Sequence, residues 1–565
     1  MTLNRKAAPE PLDPVPFNIP NAFVTTLANG LRVVIFENGR LPVVSFRLAF
    51  MSGDAHDPRD LTGATSAMAS MLTEGTENYS SRELAEKIER LGAGLSASSS
   101  DDFTIVAGSS LSMYSSEIMQ LISEAVFAST FPEEELDLYR RNTLENLKYQ
   151  RSQPNFLAAE QSARLLYGSH PYGTVSPKPA DIMRLTREAL IAAKRSSFLP
   201  NNAVLIVVGD IQKDLLLSEI EDQLGDWEPG ERDTHQFPIP KASKERTVTI
   251  VDRPGSAQAN IVIANLAFDR GHKDYFPAIV MNQILGAGAS SRVFMNLREE
   301  KGYTYGAYTK FDPRKLAGDF EATAEVRTSV TGDALREFFY ELERIRNERV
   351  LDEELDDAKN FLTGVFPIRA ETQEGLTNLL VNQELYSLPH DYLQTYRSNI
   401  DAVTVEDVQR VANMFIHPDE ASIIIVGDAS EILPQVSEYP SLIDIYDTEG
   451  MKQDGSKYSF TENEDLADVA GKWTLMIDFQ GQQLPVSLAL EQNGASATGI
   501  LETMLGNGNI TEGKVTGSRL AATAVAEMQG RSIEFTIAGK IEGNAMSGTL
   551  TAPIVPEPLT FTGTR

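Results

Sequence analysis

Arg298 and Tyr305 stand seven residues apart, separated by a turn at Gly302, in the stretch Ser290-Ser-Arg-Val-Phe-Met-Asn-Leu-Arg298-Glu-Glu-Lys-Gly302-Tyr-Thr-Tyr305-Gly306. A guanidinium and a phenol are both hydrogen-bond donors, and two donors converging on one oxygen stabilise negative charge that develops there. Packing at a helix end is the plainer use of the same residues. Val293, Leu297 and the stem of Arg298 recur at helical spacing, Glu-Glu-Lys-Gly closes that helix, and Tyr303 to Tyr305 resumes as strand. The strand predicted over Gly318–Val326 pairs with Thr304–Lys310 as a hairpin that presents Tyr305.

Other elements must position this pair. Phe23 to Ser52 reads as strand, Asn29-Gly30 turn and further strands. Leu61, Ala64, Met68, Met71 and Leu72 predict a helix over 61–72 with Ser66, Ala69 and Ser70 on its other face. A second helix runs from about Pro132 to Pro154, acidic at its start and basic further on, as the helix dipole favours. Val403-Thr-Val-Glu-Asp-Val and the strand ending Ile-Val-Gly-Asp428 repeat, at one offset of 218 residues, Leu185-Thr-Arg-Glu-Ala-Leu and the strand ending Val-Val-Gly-Asp210. This duplication predicts two α+β halves, each a mixed or antiparallel sheet with helices against one face.

The Arg298/Tyr305 stretch resembles the second half of the M16 metallopeptidase family (inverzincin, pitrilysin and mitochondrial processing peptidase). The resemblance covers about Phe17 to Tyr439, and it implies that Arg298 and Tyr305 serve a zinc site carried elsewhere. The family's first half carries Gly-x-x-His-x-x-Glu-His-Met-Leu-x-x-Gly-Thr, and Gly63, Met71, Leu72, Gly75 and Thr76 keep that frame. Ser66 and Ser70 stand at the two His positions and Ala69 at the general base. Asn146 stands at the distal ligand and Tyr139 at its supporting acid. Hydroxyls and a methyl do not hold zinc, which takes imidazole, thiolate or carboxylate. The resemblance therefore implies a chain without zinc or cofactor of its own, paired with a catalytic subunit that carries His-x-x-Glu-His and binds zinc. The loop of Gly286 and Gly288 reads as one that contacts peptide or admits it to the chamber, since glycine permits mobility and close backbone approach. The resemblance further implies that the segment from Phe103 and Thr104 to Ala107 stands where active halves offer an edge strand, sheet interior being the alternative.

The implied domains are an arm (1–16), a first half (17–228), a linker (229–243), a second half (244–439), an acidic linker (440–468) and a β-rich domain (469–565). In the last, runs at Lys472–Phe479, Pro485–Gln492, Ala497–Leu501, Gly513–Val515, Ser532–Ile537 and Met546–Leu550 predict a small antiparallel barrel or sandwich. Over 565 residues, 80 acidic against 50 basic side chains give a formal charge of -30, which argues against nucleic acid or an anionic membrane as partner. There is no Cys, so disulfides and thiolate metal sites are excluded. His56, His170, His235, His272, His390 and His417 form no pair at ligand spacing, and His170 reads as a turn residue. The Ala/Pro-rich start reads as an arm left after processing, giving the periplasm as the expected compartment and the cytoplasm as the alternative. Two rival readings accompany the heterodimeric peptidase: a scaffold that keeps the fold without proteolysis, and a self-sufficient peptide- or ligand-binding protein.

Overall fold

Alternation of side chains along the central strands sends successive apolar residues to opposite faces of a sheet, into different core clusters. The computed structural model describes residues 17–232, 235–436, 439, 443–454, 458, 466–479, 482–503, 506–516, 518–528, 531–551 and 559–565. The N-terminal arm at 1–16 and much of the acidic linker at 440–468 lie outside the described residues. The chain divides into two units, Met1–Gly455 and Ser456–Arg565.

In the first unit, β1 (Phe23–Thr26), β2 (Arg32–Glu37), β3 (Val43–Phe50), β4 (Gly94–Ser99), β5 (Thr104–Leu111) and β6 (Ala203–Gly209) form a sheet of order β1-β2-β6-β3-β5-β4. A second sheet holds β7 (Thr247–Asp252), β8 (Gln258–Leu266), β9 (Thr304–Pro313), β10 (Gly318–Arg327), β11 (Ser422–Gly427) and β12 (Ile443–Tyr446), in the order β12-β7-β11-β8-β10-β9. Five strands correspond across the duplication. β6 runs parallel to β2 and antiparallel to β3, as β11 does to β7 and β8. The outermost pairings differ: β1 joins β2 as the antiparallel hairpin that Asn29-Gly30 predicts, whereas β12 joins β7 in parallel.

Helices cover both faces of each sheet, not one, because the halves exchange a helix. Val33, Ile35, Leu205 and Val207 face Met68, Met71, Leu72 and Ile122 from their own half. Their neighbours Val34, Phe36, Val204, Ile206 and Val208 point the opposite way, onto Leu376, Leu380, Val381 and Leu385 of the helix Gln373–Leu385 in the second half. Reciprocally, Leu157, Ala158 and Leu166 of the helix Pro154–Tyr167 lie against Val262, Ala264, Ile424 and Val426 of the second sheet. Each such fully buried Val, Leu or Ile contributes about 1.5–3 kcal/mol, so the halves are bound by their cores rather than by a surface contact.

The second unit is a closed barrel of β13 (Gly471–Phe479), β14 (Gln482–Asn493), β15 (Ser496–Thr503), β16 (Gly506–Thr516), β17 (Arg519–Met528), β18 (Arg531–Glu542), β19 (Ala545–Thr551) and β20 (Leu559–Thr564). Neighbours are antiparallel throughout, and β13 pairs with β20 to close the ring. Closure leaves no unpaired edge. Trp473, Leu475, Leu488, Leu501 and Ile537 fill the interior, and the Trp473 indole donates to the Val469 carbonyl at 2.9 Å. β17 and β20 are absent from the sequence-predicted runs; β17, Arg-Leu-Ala-Ala-Thr-Ala-Val-Ala-Glu-Met, carries four alanines, which favour helix until ladders on both sides impose strand.

Candidate functional site

The Arg298 helix starts conventionally at Arg292–Phe294 and then widens into a π-helical turn over Met295–Glu300. Gly302 ends it with φ 63°, a left-handed conformation that glycine adopts without penalty. The Gly302 and Tyr303 amides donate back to the Arg298 and Leu297 carbonyls at 3.2 and 3.0 Å. The chain then enters β9, the outer strand of its sheet. Arg298 is 44% exposed, its guanidinium 4.9 Å from the Phe294 ring and 3.4 Å from a Glu299 carboxylate oxygen. Tyr305 is 90% exposed. Both donors of the predicted pair thus face solvent at one end of an edge strand.

In the first half, the predicted helix forms over Ala64–Ser70 and borders a cavity of about 690 Å³ lined by Asp54, Ser66, Tyr139, Thr143 and His170 among others. The Ser66 hydroxyl donates to Asp54 at 2.6 Å, the Ser70 hydroxyl donates to the Ser66 carbonyl at 2.9 Å, and Ala69 is buried. Tyr139 is half-buried, and desolvation raises its phenol above the ordinary range. Asn146 is exposed on the helix Glu133–Arg151 and away from this lining, where Thr143 stands. The donors fit no zinc: hydroxyls engaged with a carboxylate and with backbone replace imidazoles. Among the described residues, no group of three or more His, Asp or Glu side chains is arranged to hold a metal ion.

The candidate peptide contacts are placed differently from expectation. β5 lies between β3 and β4 with a full ladder on each side, so the free edge is β4. Phe103 and Thr104 are interior, 5% and 0% exposed, and the Thr104 hydroxyl donates to the Ser52 carbonyl. Gly288 accepts from the Ser291 hydroxyl at 2.6 Å. Gly286 is buried where β9 crosses it, accepting from the Thr309 amide at 2.9 Å. A Cβ there would lie 2.3 Å from the Thr309 hydroxyl and 2.5 Å from its amide nitrogen. Gly286→Ala is therefore expected to cost about 1–3 kcal/mol by overpacking, read as a lower urea midpoint; an unchanged midpoint would show that β9 shifts freely.

Two features carry no sequence signal, since distant segments build them. His56, His170 and His235 surround the Phe237 ring at centroid distances of 5.3, 5.9 and 5.1 Å, and His170, buried, accepts from the Tyr172 amide. At the far end of the β9–β10 hairpin, Arg314 reaches into the first half. It meets Asp101 at 2.6 Å and Asp319 at 3.4 Å, with its guanidinium 4.7 and 4.3 Å from the Tyr167 and Tyr172 rings. Tyr167 donates to Asp319 at 2.7 Å, Tyr172 donates to Asp102, and the Lys315 amide donates to Asp102 at 3.2 Å.

Burial pushes the Asp57 carboxyl up to about 6, although the Gly63 and Thr65 amides and the Thr65 hydroxyl all donate to it. Burial likewise raises Asp319 to about 6. The unfolded chain would release these protons near pH 4, so between about pH 4 and 6 the folded state binds more protons and loses stability as pH rises. Two units correspond to at most about 3 kcal/mol per group, and self-repulsion at a charge of -30 acts in the same direction. The expected result is a higher melting temperature at pH 5 than at pH 7.5, with a shallower slope for Asp57→Asn. A melting temperature that climbs from pH 5 to 7.5 would contradict it.

Fold and site together define a metallopeptidase-like tandem whose first half presents Ser66 and Ser70 on the helix Ala64–Ser70. The family description "Insulinase (Peptidase family M16)" matches residues 32–174 and "Peptidase M16 inactive domain" matches residues 184–362, together more than half of the chain. This chain belongs to the M16 family. It is 22% identical, over 71% of its length and 97% of the relative's, to a Bacillus subtilis protein named "Uncharacterized zinc protease YmxG". It is also 22% identical, over 66% of its length and 87% of the relative's, to "Non-peptidase homolog YmxG" of Helicobacter pylori. Among solved structures, the peptidase M16 inactive domain from Pseudomonas fluorescens superposes with a TM-score of 0.68 at 26% identity, over 72% of this chain and 98% of that one. A Helicobacter pylori protease gives a TM-score of 0.67 at 19% identity and shares the fold. The barrel lies beyond both family matches. The "inactive domain" description covers the half that carries Arg298 and Tyr305, and the half that carries Ser66, Ser70 and Asn146 matches the insulinase description.

Proposed function

We propose that this chain is the non-catalytic subunit of a heterodimeric zinc peptidase. It supplies Arg298 and Tyr305 to a partner M16 subunit that carries His-x-x-Glu-His and holds the zinc. The observation behind this reading is that both donors stay exposed, Arg298 on the turn just before the edge strand β9 and Tyr305 on that strand, while the zinc positions of the same chain are two hydroxyls and an amide. A donor pair with no metal beside it fits a site that a second chain completes. In the assembly, a peptide lies between the subunits. The guanidinium and phenol donate to the scissile carbonyl oxygen as charge builds on it, and the partner's metal and glutamate activate water. The periplasm is the proposed compartment.

The test is peptidase activity and bound zinc for this chain alone, and then mixed with an intact M16 protein of the same organism. Cleavage and zinc in the mixture, but not with this chain alone, supports the reading, and zinc-dependent cleavage by this chain alone overturns it. Inertness in both moves the assignment to a scaffold, which the non-peptidase naming of the Helicobacter relative favours.

A further inference from the structure

We propose that Asn296 is the positioning residue for Arg298, holding the π-helical turn whose register aims the guanidinium. The inference rests on the proposed role of Arg298. A π turn is in effect one extra residue in an α-helix, and since each α-helical residue turns about 100°, losing that residue would swing Arg298 to another face. π geometry is rare and survives where something holds it.

Asn296 provides the hold at both of its ends. Its carbonyl accepts the i→i+5 bond from the Lys301 amide at 3.0 Å. Its side chain is buried, 6% exposed, and the amide nitrogen donates to Glu337 at 3.1 Å and to Glu341 at 3.0 Å. Those carboxylates lie one turn apart on the helix Thr331–Asn347. Each accepts only, and the amide has two hydrogens, one for each. Glu341 is 3% exposed, and this donor and Arg344 at 3.4 Å are its partners in that buried place. Upstream, Arg292 meets Glu354 through two contacts of 2.7 Å and fixes where the helix begins. Among the described residues, Arg298 itself meets Glu299 and the Phe294 ring, both on its own turn, so the backbone sets its direction.

A leucine beside Val293 and Leu297 would give a simpler core. Asn296 also leaves its own Oδ1 buried without a partner among the described residues, an arrangement that costs stability and gains geometry.

Asn296→Asp keeps the shape but sets three carboxylates together. Asn296→Asp with Glu337→Gln and Glu341→Gln restores donors against an acceptor. Two readouts apply: hydrogen exchange of the 298–303 amides in this chain, and kcat and KM of the mixture with the zinc-bearing subunit. The single variant is expected to speed local exchange at least tenfold and to lower kcat about tenfold with KM little changed, and the triple variant to restore both. Unchanged exchange in the single variant, or a folded triple variant that restores neither, overturns the inference. Faster exchange with unchanged kcat upholds the positioning and instead removes Arg298 from the reaction.

Discussion

Arg314→Met is expected to lower the unfolding free energy of the tandem unit by about 3–5 kcal/mol. Methionine keeps much of the stem's volume and removes the charge. Asp101 and Asp319 then lose the cation they share, and the Tyr167 and Tyr172 rings lose the guanidinium that lies against them. Removing one member of this network, in which Asp319 is buried and Arg314 and Asp101 are partly buried, costs more than the pair is worth, because the carboxylates left behind stay largely desolvated and uncompensated. Arg314→Lys is expected to fall between, since one ammonium does not span carboxylates on different segments. Asp101→Asn with Asp319→Asn in the Arg314→Met background is expected to recover part of the loss. Urea unfolding followed by far-UV circular dichroism measures all three. A loss below about 1 kcal/mol would mean that water already screens the network, as at an exposed ion pair.

The second large effect is on rate and not on stability. Arg298→Ala or Tyr305→Phe is expected to lower turnover of the mixed assembly roughly a hundredfold, about 3 kcal/mol of transition-state stabilisation. Both side chains are exposed, so the melting temperature of the isolated chain should hardly move, in keeping with surface substitutions within about 0.5 kcal/mol. Co-elution with the zinc subunit should also persist. Full turnover with either variant would remove the residue from the chemistry and leave the scaffold reading in place.

The duplication was legible because two segments repeat at one offset, and the fold keeps five strands in the same order on both sides. The Arg298 helix, the Gly302 turn and the Tyr305 hairpin were legible too, since each depends on neighbours in sequence. Sheet order was not. Phe103 and Thr104 read equally as edge or interior, and only the position of β4, set by pairing, makes them interior. Gly286 looked like a loop glycine because the strand that presses on it lies more than twenty residues away. The Arg314 network joins residues from 101 to 319, and no local pattern announces it. Periodicity finds elements, while contacts across the chain decide which residues are reachable.

The exchanged helices also bear on synthesis. β6 ends at Gly209, but the helix that shields its second face begins only at Gln373. At about 5–20 residues per second, a ribosome takes on the order of 10 s or more to cover that interval. During this time Val34, Phe36, Val204, Ile206 and Val208 have no partner helix. One apolar face of the nascent first sheet therefore waits uncovered over that interval, and a transcript truncated before Gln373 should yield an aggregating product rather than a stable half.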